Sequence, residues 1–256
     1  MRLAFFSDIH GNLEAFDRVL KDIENRKIDR LYCLGDLVGY GPQPEEIVKR
    51  IRELGIPTVM GNYDDAVGFE KESCGCSYNP GRETEIGDES INWSIANTSD
   101  ASKEYLRSLP HTLEFEEEGV KFLLVHGSPL DHLLEYIKPT TPAERLEKVL
   151  GKVHADVVIN GHTHLPMVRW VKGKLVFNDG SVGRPKDGDP RTCYLIVDVV
   201  SGSLAHEFVR VGYDVKTTIE KMAQVGLPPE LGVVLALGRS YEMGAPKSTG
   251  EMEFKI

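Results

Sequence analysis

No apolar run in this 256-residue sequence approaches the roughly 20 residues needed to cross a bilayer, so no membrane-spanning helix is expected. A secretory leader is not expected either, because MRLAFFSDIHGN meets the acidic Asp8 before its apolar stretch reaches leader length. Positive charge is scarce: 30 Lys and Arg stand against 40 Asp and Glu, a net charge of −10. That balance argues against a polymeric nucleic-acid partner, which needs a basic face. It leaves room for a small phosphorylated or nucleotide substrate, whose binding depends on local charge alone. Cysteine is sparse too. Cys33, Cys74, Cys76 and Cys193 are too few for a disulfide framework and point to a reduced, cytoplasmic protein. Cys74-Gly75-Cys76 has no second thiol pair and reads as loop, not as a zinc knuckle. Internal repeats and low-complexity tracts are absent.

What is present is a chain long enough to bury a substantial core. The first half alternates strand and helix. RLAFFS reads as a strand, followed by a helix from about Asn12 to Asn25 with Leu13, Phe16, Val19, Leu20 and Ile23 on one face. DRLYCLG is a second strand, PQPEEIVKRIRELG a helix stopped by Gly55, and IPTVMGN a third short strand. This order predicts parallel strands with right-handed crossovers and ligands beyond the strands' carboxyl ends.

Residues from about Asp64 to Arg82 read as an exposed loop, and helical patterns then run to Leu109. TLEFEEEGVKFLLVHG predicts a hairpin turning near Glu118-Gly119. TPAERLEKVLG predicts a helix capped by Thr141, with Pro142 first and Glu144 completing a capping box. MVRWV, KLVFND, TCYLIVDVV and SLAHEFVRV follow as strands, then helical segments from Asp214 to Gln224 and over LGVVLALGR. Crossover strands followed by a meander imply an α/β protein with two facing sheets flanked by helices.

The chemistry is concentrated where apolar runs end. VVINGHTHLP places His162 and His164 two residues apart, so extended backbone aims both imidazoles to one side. The other strand ends carry Asp8-Ile9-His10-Gly11-Asn12, Gly35-Asp36, Gly61-Asn62-Tyr63-Asp64-Asp65 and His126-Gly127-Ser128. Each alone is explained by turn chemistry. Together they bring three Asp or Asn side chains and four imidazoles to one sheet edge. Mixed oxygen and imidazole ligation suits Mn²⁺, Fe²⁺ or Zn²⁺. Seven ligands exceed the needs of one tetrahedral ion and fit two ions sharing a carboxylate.

The ordered series D-x-H, GD, GN, VH and GHTH resembles the calcineurin-like metallophosphoesterase superfamily. SDIHGN, CLGDLVGYGP, VHGSP and GHTHLP look like its compact bacterial and archaeal phosphodiesterase branch. The resemblance covers about residues 1–211. It implies a four-layer α/β/β/α sandwich over residues 1–212, with a short helical extension at 213–240 and a tail at 241–256. It implies two divalent ions, manganese serving in vitro. Asp8, His10 and His164 would hold the first; Asn62, His126 and His162 the second; Asp36 would bridge both. The activity implied is hydrolysis of phosphodiester or nucleotide phosphate bonds by a metal-bridging hydroxide. A dinucleoside polyphosphate hydrolase shares the ligand set.

One block departs from the pattern. Many superfamily members read Gly-Asn-His-Asp where Tyr63 stands here, and that histidine is proposed to assist the leaving oxygen. A phenol is a poorer proton shuttle near neutrality. The change favours leaving groups that depart unprotonated, or else a metal-binding scaffold with little activity. Asp36, Asn62 and Tyr63 are therefore the candidate catalytic side chains, and Asn62 and Arg184 the candidate substrate contacts. Asn12 reads as a helix cap, Ser128 as turn geometry, and Asp64 as a residue that orients Tyr63 or a ligand. His111, His132, His154 and His206 match no block and read as surface or structural.

Overall fold

The computed structural model describes residues 1–240, and the expected tail at 241–256 lies outside the described residues. Two sheets face each other. The first has the order β2 (Arg30–Cys33), β1 (Arg2–Phe6), β8 (Thr192–Val200), β9 (Ser203–Val211). The second runs β3 (Thr112–Glu117), β4 (Val120–Val125), β5 (Val157–Asn160), β7 (Lys174–Asn178), β6 (Met167–Val171). β1 pairs in parallel with β2, and β5 in parallel with both β4 and β7, so these strands end on a common side.

The period-two alternation of side chains builds the layers. Leu3 and Phe5 of β1 meet Phe122 and Leu124 of β4 and Val157 and Ile159 of β5 between the sheets. Ala4 and Phe6 point the other way, into a core shared with helix α1 (Leu13–Glu24), helix α2 (Pro44–Leu54) and the helices that follow them. On the far side, Leu123, Val125 and Val158 pack against Leu146, Val149 and Leu150 of a later helix, Ala143–Leu150. The result is the expected α/β/β/α sandwich. No helix among the described residues is long and apolar enough to cross a membrane.

The hairpin turns where expected, with Glu118 at φ +47° and Gly119 at φ +81°, the left-handed pair that a two-residue turn needs. Three local expectations need correction. The segment IPTVMGN forms no strand: it meets β2 through a single bridge, Cys33 to Thr58. Pro57 supplies only its carbonyl, accepting from Cys33 N–H, and a ladder cannot extend through it. The loop expected from about Asp64 to Arg82 is helical at its start, within α3 (Asn62–Gly68), because the Asp64 carboxylate accepts the Gly61 N–H and closes the first turn. Two more helices follow, α4 (Arg82–Ala96) and α5 (Asp100–Ser108), as the pattern up to Leu109 implied. The Ala143–Leu150 helix, α6, starts one residue later than expected, with Pro142 at the cap; Thr141 Oγ1 instead accepts from Lys138 N–H.

Helices α7 (Val215–Gln224) and α8 (Pro229–Leu237) close the described chain, and their Met222, Leu231 and Leu235 join the core beneath α1. Arg82 grips both carboxylate oxygens of Glu230, tying α4 to α8.

Candidate metal centre

The parallel strands deliver their carboxyl ends to one edge, and the backbone there is unusual. Asp8, His10, Asp36, His162 and His164 adopt φ of +52°, +48°, +55°, +66° and +59°. Left-handed backbone costs a non-glycine residue about 1–2 kcal/mol, so it persists only where neighbours enforce it. Here Asp8 N–H donates to Gly35 O, His10 N–H to Asp36 O, and Gly183 N–H to Asp8 O. The glycines between the ligands permit close approach. A Cβ on Gly61 would lie 2.1 Å from Asp36 Oδ1, and one on Gly161 would lie 2.8 Å from Asp8 Oδ2.

One cluster joins β1 to the loop after β5. Asp8 Oδ1 lies 3.1 Å from His164 Nε2 and 3.6 Å from His10 Nε2, and the two Nε2 atoms are 3.3 Å apart. His10 Nδ1 bonds to Val38 O and His164 Nδ1 to Arg184 O. A carbonyl only accepts, so Nδ1 carries the proton in each ring and Nε2 presents its lone pair. Asp8 Oδ1 is buried with no hydrogen-bond partner among the described residues.

The adjoining cluster is built alike. Asp36 Oδ2 lies 3.4 Å from His126 Nε2 and 3.6 Å from His10 Nε2, so it stands between the two groups. His126 Nδ1 donates to Leu34 O, and Asn62 Oδ1 lies 3.1 Å from His126 Nε2. His162 borders this cluster, its ring 5.0 Å from that of His126, with a buried and unpartnered Nε2. Its backbone N–H donates to Asp8 Oδ2.

These donors fit divalent cations. Lone pairs that converge without hydrogens between them repel one another, and a buried orphan acceptor is costly. A cation at the first cluster removes both penalties, and imidazoles anchored through Nδ1 are the usual form of metal-binding histidine.

The charges agree with this. Asp36 is lowered against burial chiefly by His126. His126 is itself buried, and Asp36 and Asp8 push it up to about 10. Burial brings His162 and His164 down to about 3, helped by the charges of His126 and Lys186 respectively. Both rings therefore stay neutral, and the short approach of His164 to Asp8 is not an ion pair.

Tyr63 is buried beside the first cluster. Its ring sits edge-on to His10, with centroids 5.2 Å apart, and its hydroxyl bonds to that of Tyr78. Its backbone N–H donates to Asp36 Oδ1 at 2.8 Å. Burial raises the phenol above its ordinary pKa, so it stays protonated. Asp64 orients the same stretch, accepting N–H bonds from Asp36, Leu37 and Gly61. Asn12 caps α1 through Ala15 N–H, and Ser128 Oγ accepts from Leu130 and Asp131 within its turn. His111 and His132 pair with each other, while His206 leans on Phe177.

Arg184 is nearly buried, its guanidinium 3.9 Å from the centre of the Tyr40 ring. Lys186, two residues on, was not among the candidates. Burial and the Arg184 charge bring its ammonium down to about 8, and Asp8 and Asp36 both feel it. Neither cation has a carboxylate partner among the described residues. Also unanticipated are Tyr40 and Tyr78, whose hydroxyls bond at 2.5 Å, and Ser7, which links Asp8 Oδ2 to Asp179 Oδ1. Only GYGP hinted at Tyr40, and nothing local marks Tyr78.

Fold and site together define a two-sheet protein with candidate metal ligands gathered at one edge. The family model for the calcineurin-like phosphoesterase superfamily domain matches residues 1–202, and the chain belongs to that superfamily. It is accordingly a metal-dependent phosphoesterase, a hydrolase. An uncharacterized protein of Methanocaldococcus jannaschii is 36% identical over 253 residues, covering 93% of this chain and 98% of that one. The phosphodiesterase YfcE of Escherichia coli is 27% identical over 203 residues, 74% of this chain and 84% of its own. The crystal structure of a metallophosphoesterase from Sphaerobacter thermophilus superposes with a TM-score of 0.75 at 30% identity, covering 93% of this chain and all of that one.

Proposed function

We propose that the chain hydrolyses phosphodiester or nucleotide phosphate bonds in small substrates, using two divalent ions. In this reading Asp8, His10 and His164 hold one ion, Asn62, His126 and His162 the other, and Asp36 both. The observation that carries it is the convergence of His10 Nε2, His164 Nε2 and Asp8 Oδ1 with no proton to separate the two ring nitrogens. Manganese is the ion expected to serve in vitro. When bound, the pair would supply Lewis acidity toward phosphoryl oxygens and acidify a coordinated water.

The chain's own groups do the remaining work. Val38 O, Leu34 O and Arg184 O fix the rings of His10, His126 and His164 so that Nε2 faces inward. Tyr63 N–H and the Asp64 carboxylate hold Asp36 in its shared position. Arg184 and Lys186 give a positive margin on an acidic protein and would draw a phosphate to it. Tyr63, bonded to Tyr78, offers packing and backbone orientation instead of a proton, which favours leaving groups that depart as anions. Two unpaired cations also favour substrates with more than one phosphate, a dinucleoside polyphosphate among them.

The test is turnover of bis(p-nitrophenyl) phosphate by chelated protein reconstituted with Mn²⁺, against the Asp36→Asn variant. Manganese-dependent turnover that Asp36→Asn abolishes supports the reading. Equal turnover by both proteins contradicts it.

A further inference from the structure

The Cys74-Gly75-Cys76 motif, read from sequence as an exposed loop, lies against a candidate ligand. Cys74 is buried and Cys76 half-buried. Asn62 Nδ2 donates to Cys74 O at 3.1 Å and to Cys76 Sγ at 3.2 Å, while Asn62 Oδ1 faces His126 Nε2. A carboxamide has nearly the same shape either way round, so its hydrogen-bond partners decide which end points where.

At the end away from His126 the partners are a carbonyl and a thiol, and both accept from the amide nitrogen. Reversal would set Asn62 Oδ1 against the Cys74 carbonyl, acceptor against acceptor, and leave Cys76 Sγ without its donor.

We infer that Cys76 is a positioning residue for the second metal ion: it shares with the Cys74 carbonyl the task of keeping the Asn62 oxygen turned inward. The inference rests on the dinuclear reading. Partners that orient a metal ligand in this way typically change metal affinity about 10- to 100-fold when removed.

The experiment is stepwise Mn²⁺ titration of the full chain after chelation, following free Mn²⁺ by electron paramagnetic resonance. Cys76→Val and Cys76→Ala remove the acceptor; Cys76→Ser retains one. The expected result is a second binding step weakened about 10- to 100-fold in the Val and Ala variants, with the first step unchanged. The Ser variant should bind within about threefold of the native chain, since its hydroxyl still accepts. A second step unaffected in Cys76→Val and Cys76→Ala would overturn the inference, as would a Ser variant no better than either. Should one of the apolar variants fail to fold, the other carries the comparison. A native chain that binds fewer than two Mn²⁺ ions would instead overturn the dinuclear reading.

Discussion

The Nε2 atoms of His10 and His164 face each other across 3.3 Å, and each ring has its Nδ1 proton engaged by a backbone carbonyl. Such a pair is held this close only by the surrounding fold, because neither nitrogen can donate to the other. A cation between them turns this repulsion into two bonds, which links metal binding to stability.

Manganese should therefore stabilise the native chain. A ligand present at about 100 times its dissociation constant contributes about 2.7 kcal/mol. In a chain of this size that raises the thermal midpoint by roughly 5–10 °C. His164→Ala should show a much smaller rise, and scanning calorimetry with and without Mn²⁺ decides the point. An equal rise in both proteins would remove His164 from the metal-binding set.

Acid should destabilise the metal-free protein. His162 and His164 are lowered to about 3 by burial, so between pH 6.5 and 3 the unfolded chain binds protons that the folded chain does not. Their stabilising contribution is complete above pH 6.5 and falls as pH drops below it. The slope is up to about 1.4 kcal/mol per pH unit for each ring. His126, raised to about 10, acts in the other direction: its contribution is present below pH 6.5 and lost as pH rises toward 10. Urea unfolding from pH 5 to 9 in chelator should show a maximum between those limits, and a flat profile would contradict these shifts.

Tyr63→Phe should keep most of the activity, within about threefold, because the hydroxyl is engaged by that of Tyr78. Tyr63→His should gain most on alkyl esters, whose leaving groups need a proton. An equal gain on nitrophenyl and alkyl esters would show that position 63 is not on the leaving-group side.

Lys186→Met should raise KM for substrates with two or more phosphates by about 10- to 100-fold, the worth of one charge-assisted hydrogen bond. It should leave KM for bis(p-nitrophenyl) phosphate within about threefold. Parallel losses on both substrates would mean that Lys186 acts on the metal centre and not on the second anion.

Much of this was legible because the site sits where local signals are strongest. Asp36, His126 and His162 each follow an apolar run and neighbour a glycine, and Asp8 follows one three residues before Gly11, so ending a strand and offering a ligand coincide. The hairpin at Glu118-Gly119 and the cap at Asn12 were readable for the same reason. Contacts between distant segments were not. Lys186 reaches the site only through the turn after β7, and Tyr78 only because residues 69–81 fold back over α3. IPTVMGN has strand composition, but Pro57 limits it to one bridge, which hydrophobicity does not register. Cys76 looked inert because a thiol accepting one amide N–H has no sequence signature.

Anomalous diffraction from a crystal soaked in Mn²⁺ would test the metal centre most directly. The account predicts two peaks flanking Asp36, one among Asp8, His10 and His164, the other among Asn62, His126 and His162. A lone peak elsewhere, or no peak at either cluster, would contradict it.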